Sequence, residues 1–367
     1  MQIWSVSGRL LEREGTDDDM KAWVLHDIGN LRCEQVDEPQ LSGHEVLVAV
    51  RAAGICGSDI PRVYRSGAHR MPLIPGHEFS GEVVRVGKAV KANWMGKRVG
   101  IFPLIPCREC RPCRDKKYEM CRNYSYLGSR RGGGFAEYVA VPEWNLMELP
   151  EDVSYEEAAM LEPMAVAVHA MRRIEPEPTD HVVVCGLGTI GLLLVMFLME
   201  RGTRNLFAIG TKEYQRQSVL GLGLPGSNYC DSRTQDAAEW VLSRTADYGA
   251  DVFFECVGKN ETVTQAIDLA APAGKICMVG NPHSDMLLDR SVYWKLLRHQ
   301  LTVTGTWNSS YTGEPDDDWQ YALSALGQRR IAPSKLISHR FALEDLEQGF
   351  HIMRDKTEDY VKIMMVR

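Results

Sequence analysis

The sequence predicts an α/β protein in two parts, one rich in β-strands and one built on a doubly wound parallel sheet. Three observations predict it. From Met20 to about Val50 apolar and polar residues alternate, most clearly across 44–50, as half-buried strands require. At 181–191 an apolar strand runs into a Gly-rich turn and then into the apolar start of a helix. Further apolar segments at 250–258 and 274–280 continue a parallel sheet, and a strand-like segment at 360–365 closes the chain.

The 367 residues are 44% hydrophobic and 25% charged, enough to bury a substantial core in two domains. The formal net charge of −7 argues against a sequence-independent grip on nucleic acid or on an anionic membrane, both of which need basic patches. The longest apolar run, 190–199, is too short to span a bilayer. Residues 1–19 read as a disordered N-terminal extension. They lack the apolar core of a secretory signal, so a cytoplasmic protein is expected. In that compartment, cysteines clustered at Cys-x-x-Cys spacing read as metal ligands rather than as disulfides.

In chain order, the first chemistry-bearing phrase is Gly54-Ile55-Cys56-Gly57-Ser58-Asp59. A single cysteine is ordinarily a small buried hydrophobe, and a serine two residues on is ordinarily a turn residue. Next comes Pro75-Gly76-His77-Glu78, with Gly81, Gly87 and Val90 at fixed offsets behind it. Cys107, Cys110, Cys113 and Cys121 then fall within one short loop, 106–122. Four thiolates satisfy tetrahedral Zn²⁺ completely and leave no open position, which marks a structural site. The arginines between them read as solvated.

The pattern G-H-E-x-x-G-x-x-x-x-x-G-x-x-V, the four-cysteine loop and the phrase Gly133-Gly134-Phe135-Ala136-Glu137-Tyr138 resemble the zinc-containing medium-chain alcohol and polyol dehydrogenases. The likeness runs from about residue 20 to the end. With Asp59-Ile60-Pro61-Arg62, Ser66-Gly67-Ala68-His69 and Ser129-Arg130-Arg131, it is closest to the galactitol-1-phosphate 5-dehydrogenase branch. The resemblance implies a GroES-like β-rich catalytic domain, 20–165 and 306–367, split around a Rossmann domain, 166–305.

It also implies a catalytic zinc held by Cys56, His77 and Glu162. Glu162 stands in a Glu-Pro phrase where the alcohol enzymes carry cysteine, which favours a polyol. Glu78 would be a neighbour able to enter or leave the coordination shell. The resemblance gives Ser58 the role of receiving the proton from the zinc-bound alcohol. Arg130 and Arg131 suit a substrate phosphate, because a guanidinium bonds two oxygens at once. Anchoring the loop is the alternative reading of the same pair. The small-molecule partner would be a polyol or its phosphate, and the assembly a homodimer or homotetramer.

The cofactor is read partly from the residues themselves. Gly186, Gly188, Thr189, Ile190 and Gly191 form the turn that lets a pyrophosphate approach a helix N-terminus. The acid that binds an adenosine ribose is expected about twenty residues on, where Gly210-Thr211-Lys212 stands instead. That leans towards NADP, with Arg216 assisting, without excluding NAD. Val257 and Val279 follow the later strands and face the nicotinamide by the switch-point rule. Cys185, Cys256 and Cys277 read as core.

Overall fold

The computed structural model describes residues 19–282 and 284–367. Most of the expected N-terminal extension, residues 1–18, lies outside the described residues. Asp19 already opens a strand, Asp19–Asp27, paired antiparallel with Asn30–Asp37.

The alternating N-terminal segments feed a mixed seven-stranded sheet. Its order is Ile337–Phe341, Lys362–Val366, Glu45–Ile55, Glu78–Val86, Arg98–Ile101 and Leu146–Glu148, with Tyr138–Pro142 also pairing along Glu45–Ile55. The closing strand lies antiparallel to Glu45–Ile55, with Ile363 opposite Ile55. Chain ends far apart in sequence therefore meet beside Cys56.

The second sheet has six parallel strands in the order Tyr229–Asp231, Asn205–Gly210, His181–Cys185, Ala250–Glu255, Ala270–Met278 and Thr302–Gly305. The order reverses at His181–Cys185, so the crevice above that strand is where an open α/β sheet takes a ligand.

Helix Leu161–Ile174 joins the two sheets. Pro163 sits in its first turn, where a missing N–H costs nothing, and the helix stops at Glu175 in the left-handed conformation, φ 51°. Its buried face shares a cluster with Phe102 and Met147 of the first part and with Val182 and Leu192 of the second, so one hydrophobic core runs through both parts. A second contact holds the cleft at a fixed width: Thr189 Oγ1 donates to the Val361 carbonyl at 2.8 Å. Cys185 and Cys277 are core residues, as expected, while Cys256 is half-buried. Among the described residues no helix is long and apolar enough to cross a membrane.

Candidate active site

Cys56 leaves the end of strand Glu45–Ile55, and His77 and Glu78 stand at the start of strand Glu78–Val86. The two strands pair with Gly54 opposite Glu78. That register sets the donors side by side. Ligand atoms of Cys56, His77 and Glu78 all lie within 4.8 Å of one another. A Cβ on Gly54 would come within 2.4 Å of Glu78 Oε2, so the close approach depends on glycine.

The thiol, imidazole and carboxylate are the donor types Zn²⁺ accepts at a catalytic site with an open position. The fit is supported by His77 Nδ1, which is buried without a hydrogen-bond partner and lies 3.5 Å from Asp59 Oδ1. Asp59 is fully buried and is held from three sides: its other oxygen accepts the Cys56 amide at 3.0 Å, and Arg62 Nη1 pairs with Oδ1. Burial opposes a charge on His77, but the Asp59 and Cys56 charges outweigh it and raise the imidazole well above its usual range. An acid behind a ligating histidine fixes the ring. On the far side, buried Lys362 pairs with Glu78 Oε2 and donates to the Ile55 carbonyl at 3.2 Å.

Strand register gathers Glu78 with Cys56 and His77. Glu162, on helix Leu161–Ile174, stands outside the group of three and accepts from Tyr126 Oη at 3.1 Å. Strand register carries Glu78 to Cys56, while Glu162 lines the same cleft from its helix. Burial first, then the Glu78 charge, pushes the Glu162 carboxyl up to about 7. Ser58 Oγ donates to Cys56 Sγ at 3.3 Å.

These groups open on a cleft of about 600 Å³, whose far wall includes Ile190, Val279, Asn281 and Trp307. Arg130 and Arg131 are not among the residues lining the cleft. Arg131 pairs with Glu45, and Arg130 lies over the Tyr124 ring at 4.2 Å and donates to the Tyr124 carbonyl. Their neighbours Ser129 and Tyr124 face the cleft instead.

The four-cysteine loop closes on itself. Sulfur separations are 3.5 Å for Cys110–Cys113 and 3.9 Å for both Cys107–Cys113 and Cys110–Cys121. A tetrahedron of Zn–S bonds of about 2.3 Å has edges of about 3.8 Å, so the sulfurs already stand at ligand spacing. Backbone amides of Arg122 and Cys113 bring the Cys110 thiol down to about 6.

In the dinucleotide crevice Gly186 is left-handed, φ 96°, and a Cβ there would strike Val257 Cγ2 at 2.5 Å. A Cβ on Gly191 would meet the Gly186 carbonyl at 1.9 Å, whereas one on Gly188 meets nothing within 4 Å. The turn thus packs tightly on its inner side and is open at Gly188, just before the N-terminus of helix Thr189–Glu200, as a pyrophosphate requires. The Thr189 hydroxyl is taken by Val361, so its side chain ties the two parts together. Strand Asn205–Gly210 ends beside Tyr229, and Arg216 pairs with Glu213 on an exposed helix face.

Comparison with known proteins agrees with this geometry. Residues 42–151 match the alcohol dehydrogenase GroES-like domain, and residues 189–328 match the zinc-binding dehydrogenase domain. This chain belongs to the zinc-binding alcohol dehydrogenase family. The dehydrogenase is 33% identical over 331 residues to galactitol 1-phosphate 5-dehydrogenase of Escherichia coli K12, covering 90% of this chain and 95% of that one. The crystal structure of galactitol-1-phosphate dehydrogenase from E. coli superposes with a TM-score of 0.87 at 31% identity, over 95% of this chain and all of that one (100%). A zinc-binding dehydrogenase of Sinorhizobium meliloti 1021 bound to NADP also gives 0.87, at 27% identity, over 95% and 99% of the two chains. The protein is a zinc- and nicotinamide-dependent oxidoreductase acting on an alcohol.

Asp59, Lys362 and Tyr126 were not picked out from the sequence. Asp59 had a signal, three residues after Cys56 in Cys-Gly-Ser-Asp, and Lys362 is a lone charge inside the apolar run 361–365. Tyr126 had none.

Proposed function

We propose that the dehydrogenase oxidises one carbinol of a polyol phosphate, with galactitol 1-phosphate as the substrate, to the corresponding ketose phosphate. The observation that carries the reaction is the meeting of Cys56, His77, Glu78 and Ser58 with the switch-point residues Ile190 and Val279 in one cleft. The likeness to the galactitol 1-phosphate enzyme over nine-tenths of the chain supports the substrate. We further propose that 20–165 with 306–367 form the catalytic domain and 166–305 the dinucleotide-binding domain.

Cys56, His77 and Glu78 would hold a zinc ion, which when bound would supply Lewis acidity towards the substrate oxygen, as a bound nicotinamide would supply the hydride acceptor. Ser58 Oγ, on the cleft wall, takes the substrate hydroxyl proton. Tyr126 Oη donates to Glu162 Oε1 and so orients that carboxyl on the cleft wall. Helix Leu161–Ile174 and the Thr189–Val361 bond hold the two walls in place, which keeps reacting groups oriented.

NADP is the proposed cofactor. A Cβ on Gly210 would fall 2.9 Å from Tyr229 Oη and 3.1 Å from Gln215 Oε1, so a larger side chain there would displace those two side-chain ends. Asp231, opposite Gly210 on the next strand, is already held by Arg233 at 2.6 Å. Lys212 lies over the Tyr214 ring and has no carboxylate partner among the described residues. An unphosphorylated polyol is the second reading of the substrate, favoured by the placement of Arg130 and Arg131 off the cleft wall. Initial rates of zinc-loaded protein with galactitol 1-phosphate and galactitol, each against NADP⁺ and NAD⁺, test both choices. Equal rates with the two polyols refute the phosphate, and a preference for NAD⁺ refutes NADP.

A second copy of this chain is the proposed partner for the edge strand Thr302–Gly305. That strand ends the sheet order with Val303 exposed, and the segment leading into it exposes Leu287 at 74% and, on helix Arg290–Arg298, Trp294 at 57% and Leu297. Such an edge is ordinarily covered or charged, and a two-fold partner would pair it with itself. Light scattering should show a dimer that Val303→Lys converts to monomer; a wild-type monomer refutes the surface.

A further inference from the structure

Arg62 lines the cleft beside the proposed metal site and is the one permanent cation among the described residues of the cleft wall. Its partner Asp59 accounts for Nη1 alone; Nε and Nη2 have no partner among the described residues. The guanidinium is held rigidly, because fully buried Asp59 is itself fixed by the Cys56 amide, and the Arg62 side chain keeps 17% of its surface exposed. A rigid fork with two free donor positions is the geometry that takes two oxygens of one phosphate.

The backbone around Arg62 is shaped for the same purpose. Residues Arg62–Ser66 form a single π-helical turn, and Gly67 then reverses the chain at φ 72°. Such turns are rare and gather at functional sites. Here the turn brings Ser66, Gly67, Ala68 and His69 back onto the cleft wall next to Arg62. Of the acids lining the cleft, Glu78 is matched by Lys362 and Glu162 accepts from Tyr126 Oη, so neither pairs with Arg62.

We propose that Arg62, assisted by His69, binds the phosphate monoester end of the substrate, the role that the sequence suggested for Arg130 and Arg131. This rests on the polyol-phosphate reading above. A specificity residue of this kind raises affinity for the anion and leaves the neutral polyol untouched.

The test is equilibrium titration of zinc-loaded protein with galactitol 1-phosphate and with galactitol. Charge-assisted bonds of about 1.5–3 kcal/mol correspond to about 10–100-fold in affinity, so wild type should favour the phosphate by at least about tenfold. Arg62→Gln should remove most of that ratio with little change for galactitol, and Arg62→Lys should restore part of it. His69→Gln, which leaves Asp59 untouched, should lower the ratio in a protein with an undisturbed metal site. Arg130→Gln and Arg131→Gln should leave it alone. An unchanged ratio in Arg62→Gln, its loss in Arg130→Gln or Arg131→Gln, or no preference in wild type overturns the assignment. Turnover of galactitol without gain from the phosphate would overturn it too, while leaving the dehydrogenase reaction standing.

Discussion

Lys362→Met removes the cation from a pair in which neither side chain reaches water, with exposures of 3% for Lys362 and 2% for Glu78. Breaking a buried pair by deleting one partner costs about 3–5 kcal/mol, because the other charge is left unpaired. Glu78 has the nearby metal position as its other source of positive charge. Zinc-stripped Lys362→Met should therefore lose about 3–5 kcal/mol, and the zinc-loaded variant less. Replacing both partners, Lys362→Met with Glu78→Gln, should cost less than Lys362→Met alone, since no charge is stranded. Urea denaturation followed by tryptophan fluorescence, on chelator-treated and on zinc-loaded protein, reads all of these. A loss under about 1 kcal/mol, typical of a surface pair, would refute the reasoning. So would an equal loss with and without zinc.

Two further outcomes are expected. Gly54→Ala sets a methyl group against Glu78 Oε2 and 3.3 Å from Lys362 Cδ; displacing Glu78 should weaken the catalytic zinc by about 10–100-fold while the four-cysteine zinc is retained on dialysis, and retention of both with full activity contradicts it. The Glu45–Arg131 pair predicts a pH dependence: burial pushes the Glu45 carboxyl up, but the Ser42 amide at 2.9 Å and the Arg131 guanidinium overcome this and hold it below its usual 4.5. A depressed carboxyl contributes stability above its ordinary value and loses it as pH falls through the folded one. Arg131→Gln should thus cost about 0.5–1 kcal/mol at neutral pH, with the difference from wild type shrinking as the pH falls below the usual 4.5 and through the depressed folded value; a pH-independent difference refutes the pairing.

What the sequence determined by itself is what local chain geometry controls. Cys107, Cys110, Cys113 and Cys121 lie in one loop, so their spacing alone implies a closed tetrahedral site, and the sulfurs stand 3.5–3.9 Å apart where measured. The turn at 186–191 was legible for the same reason: a strand, three glycines and a helix leave one way to receive a pyrophosphate. Gly210 could be read as a missing acid, though its crowding by Tyr229 and Gln215 could not. Only the tertiary structure sets Glu78 beside Cys56 and His77, because antiparallel register places it against Gly54, while Glu162 lines the cleft from a helix. Lys362 reaches Glu78 over a separation of 284 residues, which no spacing rule spans. Arg130 and Arg131 suit a phosphate by residue type, yet Glu45 and Tyr124 hold them off the cleft, and Arg62 lines it because a π-helical turn places it there. Residue type states what a side chain can bind; strand register and packing decide what it faces.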